Sequence, residues 1–198
     1  DLSVGNGVYA STDAGRTWTH LTPLRDTQQI TAIVVHPRDP RHLYVAALGH
    51  PYGPNTERGV FRSRDGGQTF ERVLFVNENT GAADVTMDPE NPDVLYAALW
   101  QARQGPWENG DFRGAGTGLF KSIDGGTTWR PLTKGLPSWD QGRLGRIGVT
   151  VAPTLPGRWL APITATECGS NRLSRCRMLI RRGTTRRACA ADQVRTRR

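Results

Sequence analysis

Three aspartates, Asp13, Asp65 and Asp124, each stand inside the same eight-residue phrase. The copies are Ser11-Thr-Asp13-Ala-Gly15-Arg-Thr17-Trp18, Ser63-Arg-Asp65-Gly-Gly67-Gln-Thr69-Phe70 and Ser122-Ile-Asp124-Gly-Gly126-Thr-Thr128-Trp129. A carboxylate flanked by hydroxyls can catalyse proton transfer or ligate calcium. The same residues can also lock a turn, the carboxylate accepting backbone N–H bonds and the glycine supplying a positive φ. The turn reading is preferred, because a catalytic group is not normally needed once per repeat. Two other carboxylates, Glu78 and Asp84, are the nearest candidates for an acid/base pair. Cleavage of a glycosidic bond needs two carboxyl groups about 5–5.5 Å apart, or somewhat wider when the outcome is inversion. Tyr52, Trp100, Trp107 and Trp139 could stack on sugar rings or on a partner's aromatic side chains, with Asn55, Arg58 and Arg103 as polar neighbours. His20, His36, His42 and His50 show no ligand spacing, so no metal and no cofactor are assigned.

The elements that must carry these residues are short strands. Gly7–Ser11, Gly59–Ser63 and Gly118–Ser122 alternate apolar and polar positions before each phrase, and a second strand follows each turn. The phrase recurs every 52 to 59 residues. Between the hairpins lies a second repeated unit: strand, Pro-x-x-Pro turn, strand. Its copies run through Pro37 and Pro40, Pro89 and Pro92, and Pro153 and Pro156. Proline fixes φ and removes a donor, so it ends the first strand and opens the turn. Each complete repeat thus holds four short antiparallel strands, A to D, as in one blade of a β-propeller.

The chain resembles the BNR/Asp-box repeat propellers, and more narrowly the sortilin-type propellers of large bacterial proteins often labelled "glycosyl hydrolase". The likeness covers about Val4 to Pro156. Besides the three phrases it includes Ala46 to Asn55, Val76 to Gly81 and Gly135-Leu-Pro137. The resemblance implies an all-β propeller fragment of about two complete four-stranded blades and two partial ones. The blades fall at about residues 7–21, 30–74, 83–132 and 146–161. In these phrases Ser11, Asp13, Gly15 and Trp18, Ser63, Asp65, Gly67 and Phe70, and Ser122, Asp124, Gly126 and Trp129 are structural. The family also implies export, to a secreted, periplasmic or cell-surface location, as part of a longer polypeptide. The remaining blades of that polypeptide are then the nearest partners. No sialidase arginine triad or xyloglucanase carboxylate pair can be placed on this sequence residue by residue.

The net charge of +8 suggests nucleic acid, but its distribution does not support that. Residues 1–155 carry 15 Lys and Arg against 16 Asp and Glu, whereas residues 156–198 carry 11 Arg against Glu167 and Asp192. All three cysteines, Cys168, Cys176 and Cys189, lie in this last stretch. A basic arm, a metal site and an out-of-frame or disordered segment compete there. The cysteine spacing fits no zinc pattern, and an arginine-rich tail without interleaved aromatics is a poor reader of bases. The favoured expectation is a partial Asp-box propeller over 1–156, a piece of a larger domain, followed by an irregular Arg- and Cys-rich tail over 157–198, out-of-frame or disordered. Specific nucleic-acid binding and a membrane span are not expected.

Blade geometry then sorts the loops. The A–B and C–D turns share one face, and the long B–C and D–A segments share the other, where function concentrates. The expected role is non-catalytic recognition of a polypeptide or glycan on the long-loop face. Glycoside hydrolysis is the alternative.

Overall fold

The computed structural model describes residues 5–104, 112, 114–138, 144–152, 159–165, 175–181 and 184–186. Their regular structure is almost entirely strand. The first sheet is a hairpin of β1 (Val8–Ala10) and β2 (Thr19–Leu21). The second is an antiparallel meander of β3 (Ile30–Val35), β4 (Leu43–Ala47), β5 (Gly59–Ser63) and β6 (Glu71–Leu74). The third repeats it with β7 (Thr80–Met87), β8 (Leu95–Gln101), β9 (Gly118–Ser122) and β10 (Arg130–Leu132). These are two complete propeller blades. A short 3-10 helix, Thr22–Thr27, joins the first sheet to the second. The sequence pattern does not disclose it. Pro23 starts it, and Leu24 is buried beside Val8, Leu43 and Val45.

The stretch after Pro156 departs from expectation. A fourth sheet is built from β11 (Leu144–Ile147), β12 (Thr150–Val151), β13 (Trp159–Ala165), β14 (Arg175–Arg181) and β15 (Thr184–Arg186). The order β11-β13-β14-β15 repeats the meander of the blades, with β12 paired to β13. Residues 157–198 are therefore not irregular throughout. Cys176, Met178 and Ile180 alternate with arginines through most of Arg175–Arg181, a spacing that a strand accepts. Cys168 and Cys189 lie outside the described residues.

The three aspartate turns share one hydrogen-bond pattern. The serine hydroxyl donates to the aspartate Oδ1 at 2.8 Å in every copy. It accepts from the glycine N–H two residues beyond the aspartate, at 2.8–2.9 Å. The threonine N–H bonds Oδ1 at 2.8–2.9 Å and its hydroxyl bonds Oδ2 at 2.5–2.6 Å. Two successive residues have positive φ in each turn: Ala14 and Gly15, Gly66 and Gly67, Gly125 and Gly126. The hydrogen bonds from Thr17 and Thr128, then from Ser11 and Ser122, hold the Asp13 and Asp124 carboxyls down to about 2; Asp65 is lowered in the same way.

The aromatic residue that closes the phrase does not always behave as a plug. Phe70 and Trp129 pack partly buried against the cores. Trp18 is 63% exposed, because no further sheet covers it among the described residues.

An acid-stability prediction follows. A carboxyl whose pKa is lowered on folding stabilises the fold above its unfolded value and loses that contribution as pH falls through the folded value. Stability should therefore fall between about pH 4 and pH 2. Asp13→Asn or Asp124→Asn should flatten this dependence in urea titrations at several pH values. An unchanged pH profile in both variants would contradict the assignment.

Adjacent sheets are joined by side chains of β3, β4 and β5. Thr31 Oγ1 donates to Ala82 O at 2.8 Å, bridging the two complete blades. Tyr44 Oη donates to Gly125 O at 2.7 Å, and the buried Arg62 reaches the same carbonyl while paired with the exposed Glu71. The inner strands β3 and β7 each carry a register irregularity at the same place, between Ile30 and Ala32 and between Ala82 and Asp84. Such a bulge re-aims the residues beside it.

Candidate functional site

Two sets of backbone bonds fix which loops share a face. Gly66 N donates to Arg41 O and Gly125 N to Asp93 O, both at 2.9 Å, so each Pro-x-x-Pro turn lies beside the aspartate turn of its own sheet. On the other side, Asn55 N donates to Glu78 O at 3.0 Å, Ala102 N to Asn79 O at 3.2 Å, and Gln104 N to Pro51 O at 2.8 Å. The loop after β4, the turn before β7 and the segment after β8 therefore form one connected surface. The turn itself is self-bonded, since Asn77 Oδ1 accepts from Asn79 N and from Thr80 Oγ1, both at 2.9 Å.

The candidate binding residues divide into those that face solvent and those that build the surface from beneath. Arg58 is completely buried. Its Nη1 donates to Ala102 O at 3.0 Å and Asn79 O at 3.4 Å, and its Nη2 to His50 O at 3.1 Å and Gly53 O at 3.3 Å. Its charge is bound to carbonyl groups, and burial lowers its pKa. Asn55 is buried beside it, and its Nδ2 donates to His50 O and Gly53 O, both at 2.9 Å. Both side chains are thus buried and bound to backbone carbonyls. They join three segments of chain and hold the surface in shape. Sequence reasoning found the residues but not this role, because the acceptors are backbone atoms up to 44 residues away.

Tyr52 is about half exposed and Arg103 is exposed. Trp100, next to last in β8, is half-buried, with its ring stacked on Phe112 at 5.5 Å between centroids and 22° between planes. Its Nε1 donates to Phe112 O at 3.0 Å. Phe112 was not singled out by its sequence context, and its aromatic type alone hints at the pairing. Trp107 and Trp139 lie outside the described residues.

The two carboxylates weighed as an acid/base pair lie on different elements. Glu78 is exposed on the turn. Asp84 lies four residues into β7 from Thr80, on the order of 13 Å of strand. Its Oδ2 accepts the backbone N–H of Val149, in the next sheet, at 2.8 Å. Burial raises its pKa, opposed by that bond and by Arg146. The carboxylate thus works as a link between sheets. Among the described residues no group of three or more His, Cys, Asp or Glu could hold a metal ion, and no helix is long and apolar enough to cross a membrane.

The profile of the Sortilin-Vps10 family, described as sortilin, neurotensin receptor 3, matches residues 6–134. A xyloglucanase of Hypocrea jecorina (strain QM6a) is 28% identical over 155 residues, covering 77% of this chain. The chain corresponds to 16% of that relative's length. Among solved structures, a GH74 enzyme of Niastella koreensis aligns with a TM-score of 0.47 and 15% identity, over 93% of this chain and 34% of the other. An ancestral GH74 enzyme aligns with a TM-score of 0.45 and 15% identity, over 94% and 28%.

Proposed function

Since the chain belongs to the Sortilin-Vps10 family, we propose that it is a recognition module of a β-propeller and binds a glycan on its long-loop face. The observation that carries this reading is the Trp100–Phe112 stack at the end of β8. The indole is held at both its ring and its N–H, so it offers a preorganised flat surface. Tyr52 stands on the adjoining loop, which is tied to the Trp100 segment through Gln104 and Pro51. A stretch of flat apolar rings with hydrogen-bonding groups around it suits the C–H faces and hydroxyls of a polysaccharide. The Hypocrea xyloglucanase supports a β-glucan as the first ligand to test. In this reading the module acts outside the cytoplasm, within a longer protein.

Binding without turnover is preferred because the Asp84 carboxylate is engaged by the Val149 amide. Hydrolysis of the same polysaccharide is the second reading, favoured by the activity in the relative's name. The test is calorimetric titration with xyloglucan oligosaccharides, with reducing-sugar release measured in parallel. Trp100→Leu and Tyr52→Ala should each weaken binding about tenfold or more. Trp18→Ala, on the opposite face, should bind as the parent does. Binding that survives both long-loop variants would remove the proposed surface. Release of reducing sugar would move the reading to hydrolysis.

A further inference from the structure

One backbone corner of the long-loop face is strained, and the residue there is not a glycine. Gln28 follows the short 3-10 helix with φ 53° and ψ −73°. Gln29 N donates across it to Thr27 O at 2.6 Å. These are the dihedrals and the bond of a γ-turn of the strained hand, a conformation that costs an L side chain free energy. Elsewhere the chain leaves positive φ to glycine. Among the described residues only Ala14 and Gln28 are exceptions, and Ala14 stands in an aspartate turn. The Gln28 carbonyl is also held from the other side. Gly7 N donates to it at 3.5 Å, and a Cβ at Gly5 would overlap it.

The fold does not ask for this corner. Gln28 lies nine residues before Pro37, as Thr80 lies before Pro89. The second copy enters its inner strand with no positive φ between Asn77 and Thr80. There Thr80 is completely buried, and its hydroxyl closes the turn onto Asn77 Oδ1. Gln28 is only half-buried, and its corner is closed by backbone groups and by Thr27 Oγ1 on Leu24 O. These bonds do not use the Gln28 side-chain amide. Leu48 N donates to Gln29 O at 2.9 Å, so the corner lies against the start of the loop that carries Tyr52.

We infer that Gln28 is a ligand-binding residue of the long-loop face, its amide contacting hydroxyl groups of the bound glycan; this rests on the glycan reading above. Strain of this kind persists at binding sites, because relief by glycine would remove the side chain as well. An amide both donates and accepts, as a sugar hydroxyl does, and it carries no charge, so it suits a neutral polysaccharide. Tyr52 and Trp100 offer flat apolar contact, and Gln28 adds the directional contact that such rings lack.

The test separates the strain from the side chain. Gln28→Gly releases the turn and deletes the amide, whereas Gln28→Ala deletes the amide and keeps an L residue at positive φ. Each is titrated with xyloglucan oligosaccharide by calorimetry and unfolded in urea, beside the parent and Trp100→Leu. Both Gln28 variants should bind about fivefold more weakly. Gln28→Gly should unfold at a higher urea concentration than the parent and than Gln28→Ala. A variant that is more stable yet binds less is a result that a purely structural residue would not give. The inference is overturned if the parent binds, Trp100→Leu weakens that binding and both Gln28 variants bind as the parent does; the glycan reading then stands without it. It is also overturned if Gln28→Gly unfolds no later than Gln28→Ala, since the corner would then hold no strain. A parent that binds no oligosaccharide removes the glycan reading and this inference together.

Discussion

Replacing Arg58 with Met should destabilise the chain by about 3 kcal/mol, on the order of 10 °C in melting temperature for a protein of this length. The guanidinium satisfies carbonyls of His50, Gly53, Asn79 and Ala102, drawn from three segments. Its removal takes from Ala102 O the donor it has here, and leaves His50 O and Gly53 O with Asn55 Nδ2 alone and Asn79 O with Ala102 N alone; a buried acceptor left bare costs about 1–3 kcal/mol. Part of that is offset, because a charge that was costly to bury is gone. The net effect remains strongly unfavourable, since Met supplies volume but no donor. Arg58→Lys should not rescue the fold. One ammonium nitrogen cannot reach four carbonyls spread around a planar fork, and it is more strongly hydrated. Urea unfolding measures the loss. Amide exchange should locate it at Asn55, Ala102 and Gln104, whose N–H bonds tie the same segments together. A Met variant within 0.5 kcal/mol of the parent, as an ordinary surface change would be, would mean that the long-loop surface is not held from beneath.

Gly81→Val should cost a similar amount for a different reason. A Cβ at Gly81 would stand 2.6 Å from both Cα and O of Leu48 and 2.9 Å from its carbonyl carbon. All three are backbone atoms, so no side-chain rotation relieves the clash. The start of β7 must move away from the residue that follows β4, which opens the boundary between the two complete blades. Overpacking of this kind costs about 1–3 kcal/mol, and more where only backbone can yield. Gly66→Ala is the control. Nothing lies within 4 Å of a Cβ there, and Ala14 already occupies the corresponding turn position with φ 59. Its cost should be about 1 kcal/mol, the backbone term alone. Equal unfolding midpoints for the two variants would contradict the close approach.

What the sequence discloses and what it hides divide by range. The aspartate turns are legible because every partner lies within the phrase; Asp13 and Thr17 are four residues apart. The Pro-x-x-Pro turns are legible for the same reason. Period-two alternation marks most strands, and repetition marks the blades. Arg58 looked like a surface cation because its acceptors are backbone atoms of loops that meet only after the sheets stack. Asp84 looked like a member of a catalytic pair because its actual partner, the amide of Val149, is 65 residues away. Trp18 and Trp129 carry the same signature, yet one is exposed and the other packed. The difference lies in which sheet precedes each of them, and no residue inside the phrase reports that.

The claim that a glycan is recognised on the long-loop face can be tested by the indole N–H resonances of the chain titrated with xyloglucan oligosaccharide. Trp100 reports on the long-loop face, and Trp18 and Trp129 report on the aspartate-turn face. The account predicts a saturable shift at Trp100 with Trp18 and Trp129 unmoved. Shifts at Trp18 or Trp129 with Trp100 unmoved, or no shift at any of the three at millimolar sugar concentration, would contradict it.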